Sequence, residues 1–173
     1  RQRQMCIRDR YMIVGAKSLE LHSRNHEPPE TLLVLTPRVN RVVTLSRGRT
    51  IVFQSVHEAA PKWAFHTCYS FSETLTIEGI WFRVCSREQA LLETLTKRKG
   101  SQEVDVYLVE RFLWRYAKYL RDSVVYDLVR IRYITAINRL RVITKKMWLN
   151  DVYSMCLVAI KRYGNGCFVS VDV

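Results

Sequence analysis

The spacing of apolar residues changes from every second position to every 3.6 positions near residue 86. Before that point the chain consists of short runs typical of β-strands, at residues 31–36, 39–45, 50–56, 64–71 and 79–85. After it, apolar residues recur at helical spacing as far as residue 148. The change predicts an α/β (α+β) fold, in which a small antiparallel or mixed sheet is followed by a helical region.

Ser86 stands at the start of the helical part, directly after the candidate strand that ends at Cys85. Ser86 and Gln89 have the spacing of a capping box, in which each side chain satisfies a free amide of the first turn. Apolar residues then follow at helical spacing: Ala90, Leu91 and Leu95. Because a strand leads straight into this helix, we expect the helix to pack on the sheet.

Three shorter segments carry local signals. Residues 11–22 predict a short helix whose inward residues are Ile13, Ala16 and Leu19. Residues 46–49 (SRGR) lie between two strand candidates and predict a hairpin turn. After a turn at residues 163–166, residues 167–173 predict a final strand.

The positive charge of the chain is concentrated in one internal segment. The net charge is +12, and residues 97–146 hold thirteen Lys or Arg against five Asp or Glu. Like charges at this density repel one another unless a polyanion offsets them, which favours nucleic acid as the partner. The alternative is an ordinary solvated helix face.

Helical spacing places these cations in two stripes. Arg111, Arg115 and Lys118 fall on one face of a helix over residues 104–121, opposite Phe112 and Leu113. A second helix, over about residues 124–147, is expected to carry another stripe. The predicted contacts with the DNA phosphate backbone are therefore those of Arg111, Arg115, Lys118, Arg121, Arg132, Arg139 and Lys146.

The sequence offers no convincing catalytic or metal site. His22 and His26 are four residues apart, but Pro28 follows, so an intact zinc-binding helix is not expected and both are interpreted as surface histidines. Asp105 and Glu110 fall on opposite sides of a helix, which argues against a metal nuclease. We therefore expect no enzymatic activity, no metal and no cofactor.

The chain holds five cysteines without any C-x-x-C spacing, which favours a reduced, cytoplasmic protein. Four of them are interpreted as small buried residues in or beside strands: Cys68, Cys85, Cys156 and Cys167. No apolar run is long enough to span a membrane, so we expect no membrane partner. Residues 1–10 (RQRQMCIRDR) resemble the translation of a sequencing-library adapter and are expected to lie outside the fold.

Three stretches resemble the C-terminal domain of AbiEi-type antitoxins, the transcriptional regulators of type IV toxin–antitoxin systems. They are residues 11–26 with the run LELH, residues 79–95 (GIWFRVCSREQALLETL) and residues 136–140 (AINRL). The motif residues are Arg87, Glu88, Leu91, Leu92, Arg139 and Leu140. We expect most of them to cap, pack or tie the helix start to neighbouring loops.

The resemblance implies a phage-defence antitoxin and regulator that binds the DNA backbone, antagonises a nucleotidyltransferase toxin with or without direct contact, or does both. It also implies one domain over residues 11–173, with a sheet part at 11–96 and a mainly helical part at 97–173. Members of the family open with a winged helix-turn-helix that reads the operator, and this chain is expected to lack it. Two alternatives stay open: a phage-defence nuclease and a basic protein-interaction domain.

Overall fold

The structure, a computed structural model, describes residues 11–25, 27–56, 65–96, 104–131 and 133–171. Within these ranges six strands form one mixed sheet in the order β3-β4-β2-β1-β6-β5. The strands are β1 (Met12–Ile13), β2 (Thr31–Thr36), β3 (Arg41–Thr44), β4 (Thr50–Ser55), β5 (Ser72–Ile77) and β6 (Ile80–Cys85). The predicted α/β fold with a mixed sheet is confirmed.

The two-residue strand β1 holds the two halves of the sheet together. It pairs antiparallel with β2 through Met12↔Leu35 and parallel with β6 through Ile13↔Val84. The outer strands are added as hairpins, β3 with β4 and β5 with β6. The predicted turn at residues 46–49 therefore lies in an antiparallel hairpin, as expected.

Strand β2 is apolar because its residues face two cores. Leu33 and Leu35 point to the main core, whereas Leu32 and Val34 belong to a second apolar cluster. Successive side chains of a strand point to opposite faces, so the second cluster lies on the other face of the sheet. Val34 and Leu35 are both buried, so β2 is covered on both faces at this point.

The helices of the described ranges supply most of the main core. They are α1 (Gly15–His22), α2 (Phe65–Tyr69), α3 (Arg87–Thr94), α4 (Val106–Tyr116), α5 (Asp122–Ile131), α6 (Ile134–Lys146) and α7 (Asn150–Tyr163). Helix α3 packs against α1, and α7 packs against α5 and α6. One core joins sheet residues such as Met12 and Cys85 to helical residues such as Phe112 and Ile137.

Helix α3 begins where the sequence predicts. Ser86 Oγ accepts a hydrogen bond of 3.2 Å from the Gln89 amide. The second hydrogen bond of a capping box, from the Ser86 amide to the Gln89 side chain, is not formed. The Gln89 side-chain amide is buried without a hydrogen-bond partner among the described residues. A single cap of this kind still satisfies one of the free amides of the first turn.

Several predicted elements are wrong. Residues 64–71 form no strand in their described part, which contains helix α2. The segment after it, β5, is a strand that the sequence analysis missed. Helix α1 begins only at Gly15 because β1 precedes it, and Ala16 is exposed, not inward.

The helical half is divided more finely than predicted. The single helix expected over residues 124–147 is two helices, α5 and α6, and a further helix, α7, follows. Residues 167–171 form no strand, whereas residues 172–173 lie outside the described ranges. Residues 1–10 and 97–103 also lie outside the described ranges. No helix in the described ranges is long and apolar enough to cross a membrane.

Candidate nucleic-acid interface

Glu88, in the motif that carries the family resemblance, is a buried anchor of the fold. Its side chain is fully buried and accepts three hydrogen bonds from Arg121, from Nε at 3.0 Å, Nη2 at 2.9 Å and the backbone amide at 2.9 Å. Burial raises the pKa of Glu88, but the hydrogen bonds from Arg121 outweigh it, so the pKa lies below its usual value. The expectation that Glu88 ties the helix start to a neighbouring loop is confirmed.

Arg121 is consequently not a free cation. Its Nη2 also lies 2.5 Å from Glu73 Oε1, so two carboxylates neutralise the guanidinium, and its pKa is raised by these partners. That Arg121 contacts phosphates stays a prediction, but two carboxylates already balance its charge inside the fold. The Glu88 carboxylate lies 33 residues before Arg121 in the sequence, and a helical wheel cannot show a contact between residues so far apart.

The second predicted stripe is not formed on the surface. Arg139 is buried, and its Nη1 donates a 2.6 Å hydrogen bond to the Leu95 carbonyl at the end of α3. A cation at this end satisfies the last carbonyls of a helix. Arg132 lies outside the described residues, and Lys146 is exposed on α6. The prediction of an exposed row through Arg139 is wrong.

The remaining motif residues serve the core. Leu91, Leu92 and Leu140 are fully buried. Arg87 is half-buried, and its Nε has no hydrogen-bond partner among the described residues. The expected tie from Arg87 to a neighbouring loop is therefore not found at this atom.

The first predicted stripe does lie on the surface. Arg111, Arg115 and Lys118 are exposed, whereas Phe112 and Leu113, on the opposite side of α4, are buried. Lys118 follows the end of α4, in the 3-10 turn Ala117–Tyr119. Within the described ranges none of the three cations forms an ion pair. These three charges are available to an external anion.

Two of the cations share a cleft of about 110 Å³ between the end of α1 and the start of α4. Its lining combines cationic, amide and hydroxyl groups with two carboxylates: Arg111, Arg115, Ser23, Asn25, Glu20 and Asp105. Both carboxylates have partners inside the fold. Glu20 pairs with Lys17 at 2.8 Å, and Asp105 caps α4 by accepting from the Leu108 amide at 2.9 Å. The arginines therefore remain the unpaired charges of the cleft.

Exposed aromatic rings accompany these cations, a feature that the sequence analysis missed. Tyr107 and Trp114 are 69% and 72% exposed, and they alternate with Arg111 and Lys118 at positions i, i+4, i+7 and i+11. The Arg111 guanidinium lies 5.7 Å from the centre of the Tyr107 ring. The aromatic residues at helical spacing between the cations are a sequence pattern that indicates this surface.

Trp148 extends the same surface beyond the end of α4. It is 83% exposed and borders a second cleft, of about 400 Å³, whose lining includes Ala117, Lys118 and Leu149. We call the solvent-facing group formed by Tyr107, Arg111, Trp114, Arg115, Lys118 and Trp148 the α4 surface.

The other titratable candidates are structural. His22 is buried, not exposed as predicted, and its Nε2 lies 2.7 Å from the Cys85 carbonyl oxygen. Burial lowers the pKa of His22. In the described part of the chain, no three His, Cys, Asp or Glu side chains are grouped to hold a metal ion.

The cysteines divide into buried and exposed thiols. Cys68, Cys85 and Cys156 are buried, as predicted, but only Cys85 lies in a strand, because Cys68 is in α2 and Cys156 in α7. Cys167 is exposed because it follows α7 instead of joining a strand.

Comparison of the chain with family models, with curated proteins and with solved structures found no significant match.

Proposed function

We propose that this chain is the DNA-binding and antitoxin domain of a transcriptional regulator from a type IV toxin–antitoxin, phage-defence system. The observation that supports DNA binding is the pair Arg111 and Arg115, which are exposed on one cleft and form no ion pair with any residue that the structure describes. The regulator and antitoxin roles rest on the resemblance of residues 11–26, 79–95 and 136–140 to AbiEi-type proteins. The chain acts in this proposal by binding, without catalysis.

The α4 surface suits phosphate groups. Guanidinium groups bind phosphate oxygens in a bidentate manner, and Ser23 and Asn25 place further polar groups in the same cleft. Contacts of this kind hold a protein on DNA without reading the bases. In this proposal, operator recognition belongs to a separate winged-helix module, and the domain adds affinity.

The salt dependence of duplex binding tests this proposal. The variant Arg111→Glu/Arg115→Glu should bind duplex DNA more weakly, and its plot of log affinity against log salt should be flatter by about 0.9 for each phosphate that it no longer neutralises. The matched control is Arg38→Glu/Arg41→Glu, which makes the same change of charge at exposed arginines on and beside the edge strand β3.

An unchanged slope in the α4 variant, with folding intact, would refute the proposal. So would an equal loss of affinity in the control, because it would mean that only net charge matters. Metal-dependent cleavage of DNA by the purified chain would favour the nuclease alternative. The toxin partner is tested separately: if a nucleotidyltransferase gene lies beside this one, its product should copurify with the chain, or lose its toxicity when the chain is coexpressed.

A further inference from the structure

We propose that the α4 surface binds unpaired bases, so that its preferred ligand is single-stranded DNA. This inference rests on the proposed function for its choice of DNA. It adds that the aromatic rings of the surface, and not only its cations, contact the ligand.

The first argument is the exposure of the rings. Tyr107, Trp114 and Trp148 are each more than two-thirds exposed, although large aromatic residues usually bury their rings. Scattered apolar residues on a surface need no explanation, but Tyr107 borders the first cleft with Arg111 and Arg115, and Trp148 borders the second with Lys118 and Asp151. A partner that covers the rings and neutralises the cations would account for both features.

The second argument is the alternation along α4. Tyr107 and Trp114 are seven residues apart, or about 10 Å along a helix, with Arg111 between them and Lys118 beyond. Proteins that bind single strands combine cations that follow the phosphates with aromatic rings on which bases stack. In a duplex the base faces are already stacked on one another, so only the cations of this surface would find partners.

The third argument is the backbone at Trp148. The Trp148 amide bonds the Lys145 carbonyl at 3.3 Å, and the Leu149 amide bonds the Thr144 carbonyl at 3.0 Å, which together form a Schellman motif at the end of α6. Trp148 occupies its left-handed position, with φ of 59°, where glycine is usual because side chains with a Cβ are sterically disfavoured.

A tryptophan at this position is unfavourable for the free protein in two respects. Its backbone is strained, and its ring gains almost no burial in return, since 83% of the residue is exposed. Non-glycine residues in such conformations concentrate at functional sites. We take the ring at Trp148 to be retained for binding, next to Lys118 across the second cleft.

The test compares a labelled mixed-sequence DNA oligonucleotide with the duplex of the same length, at one salt concentration. Trp114→Ala should weaken binding of the single strand by about 5- to 150-fold, the usual effect of removing one ring on which a base stacks. Duplex affinity should change by less than about twofold, since the rings contribute nothing there. The matched control is Trp81→Ala, which removes a tryptophan that is 75% exposed on β6, away from the α4 surface.

Trp148→Gly separates binding from folding. Glycine relieves the strained backbone, so this variant should unfold at a higher urea concentration than the parent while it binds the single strand more weakly. A decrease in affinity in a stabilised protein cannot come from misfolding. If Trp148→Gly binds the single strand as well as the parent does, this ring is not part of the interface.

The outcomes distinguish the two proposals. Suppose that duplex binding depends on Arg111 and Arg115, while the single strand binds no more tightly than the duplex and Trp114→Ala leaves its affinity unchanged. That result refutes the inference and leaves the proposed function standing. If neither form of DNA binds, both are refuted. Binding of RNA of the same sequence more tightly than single-stranded DNA would overturn single-stranded DNA as the ligand. Tighter binding of polyglutamate, weakened by Trp114→Ala to the same extent, would overturn it as well.

Discussion

Removing the Arg121 side chain should destabilise the fold more than removing any exposed ion pair would. The Glu88 carboxylate is fully buried and receives two hydrogen bonds from the guanidinium and one from the backbone amide of Arg121. Arg121→Ala keeps the backbone bond and removes the other two. A carboxylate in a protein interior is then without its countercharge, which is costly because low-dielectric surroundings solvate it poorly.

The size of the effect follows from how far water can replace the missing guanidinium. Breaking a buried ion pair by removing one partner costs about 3–5 kcal/mol. The Arg121 side chain is 52% exposed, so water reaches the vacated position and the remaining amide bond still supports Glu88. We therefore expect a decrease of about 2–3 kcal/mol in the free energy of unfolding, below that full range. At a urea dependence of about 2 kcal/mol/M, the midpoint falls by about 1 M.

Urea unfolding at pH 7, monitored by tryptophan fluorescence, measures this decrease in the free energy of unfolding. Glu73→Ala is the matched control, because Glu73 binds the same guanidinium but is itself partly solvated. Pairs of that kind contribute about 0–1 kcal/mol. Arg121→Lys should lower the free energy of unfolding by an amount between those of Arg121→Ala and Glu73→Ala, since lysine keeps the charge but not the planar set of guanidinium N–H donors. The reasoning fails if Arg121→Ala costs no more than Glu73→Ala.

Two further predictions concern titratable groups. The pKa of Glu88 lies below its usual value in the folded state, so the unfolded chain binds the proton more readily. The contribution of ionised Glu88 to the free energy of unfolding is therefore fully present above about pH 4.3, and it is lost as the pH falls through the lower pKa of the folded state. The difference in urea midpoint between the parent and Glu88→Gln should therefore shrink from pH 5 to pH 3, and a constant difference would contradict the assignment. Burial raises the pKa of Cys156 to about 12 and that of Cys85 further, whereas Cys167 is exposed. A thiol reagent should modify Cys167 in the native protein, but Cys85 and Cys156 only after unfolding, as peptide mass mapping would show; equal native labelling of Cys85 would contradict its burial.

Short-range signals in the sequence predict the local elements well. The Ser86 cap bonds the Gln89 amide, as its spacing from Gln89 indicates. The wheel for α4 separates Phe112 and Leu113 from Arg111 and Arg115 correctly. Each of these signals depends on residues within two helical turns, so no knowledge of the tertiary structure is needed to interpret them.

Strand β5 has a signal in the sequence, although it was not predicted. It alternates polar and apolar residues, and Glu78-Gly79 after it forms a turn in which both residues have positive φ. That pattern is typical of a hairpin and predicts both β5 and the start of β6. Helix α2 has no such signal, because a five-residue element rich in aromatic residues has too little length to show a helical repeat.

The internal partners of Arg121 and Arg139 were not predicted, for a different reason. Their partners, Glu88 and the Leu95 carbonyl, lie 33 and 44 residues away in sequence. A helical wheel shows which direction a side chain takes and not what it meets there. Total charge is equally uninformative, since it counts Arg121 and Arg111 alike although only one of them is neutralised inside the fold.

Arg121 and Arg139 explain how the α4 surface is held in place. Glu88 at the start of α3 holds Arg121, which lies between the end of α4 and the start of α5. Arg139 on α6 holds the other end of α3 through the Leu95 carbonyl. The motif helix is thus tied at both ends to the helices that flank the exposed cations and rings. In our proposal, the residues that carry the family resemblance position the interface, and residues outside the motif contact the DNA. A decrease in DNA binding in Arg121→Ala would then reflect displacement of α4. It should be smaller in Arg121→Lys, which keeps a positive charge beside Glu88 without both guanidinium hydrogen bonds, whereas Arg111→Lys should still weaken the phosphate contact.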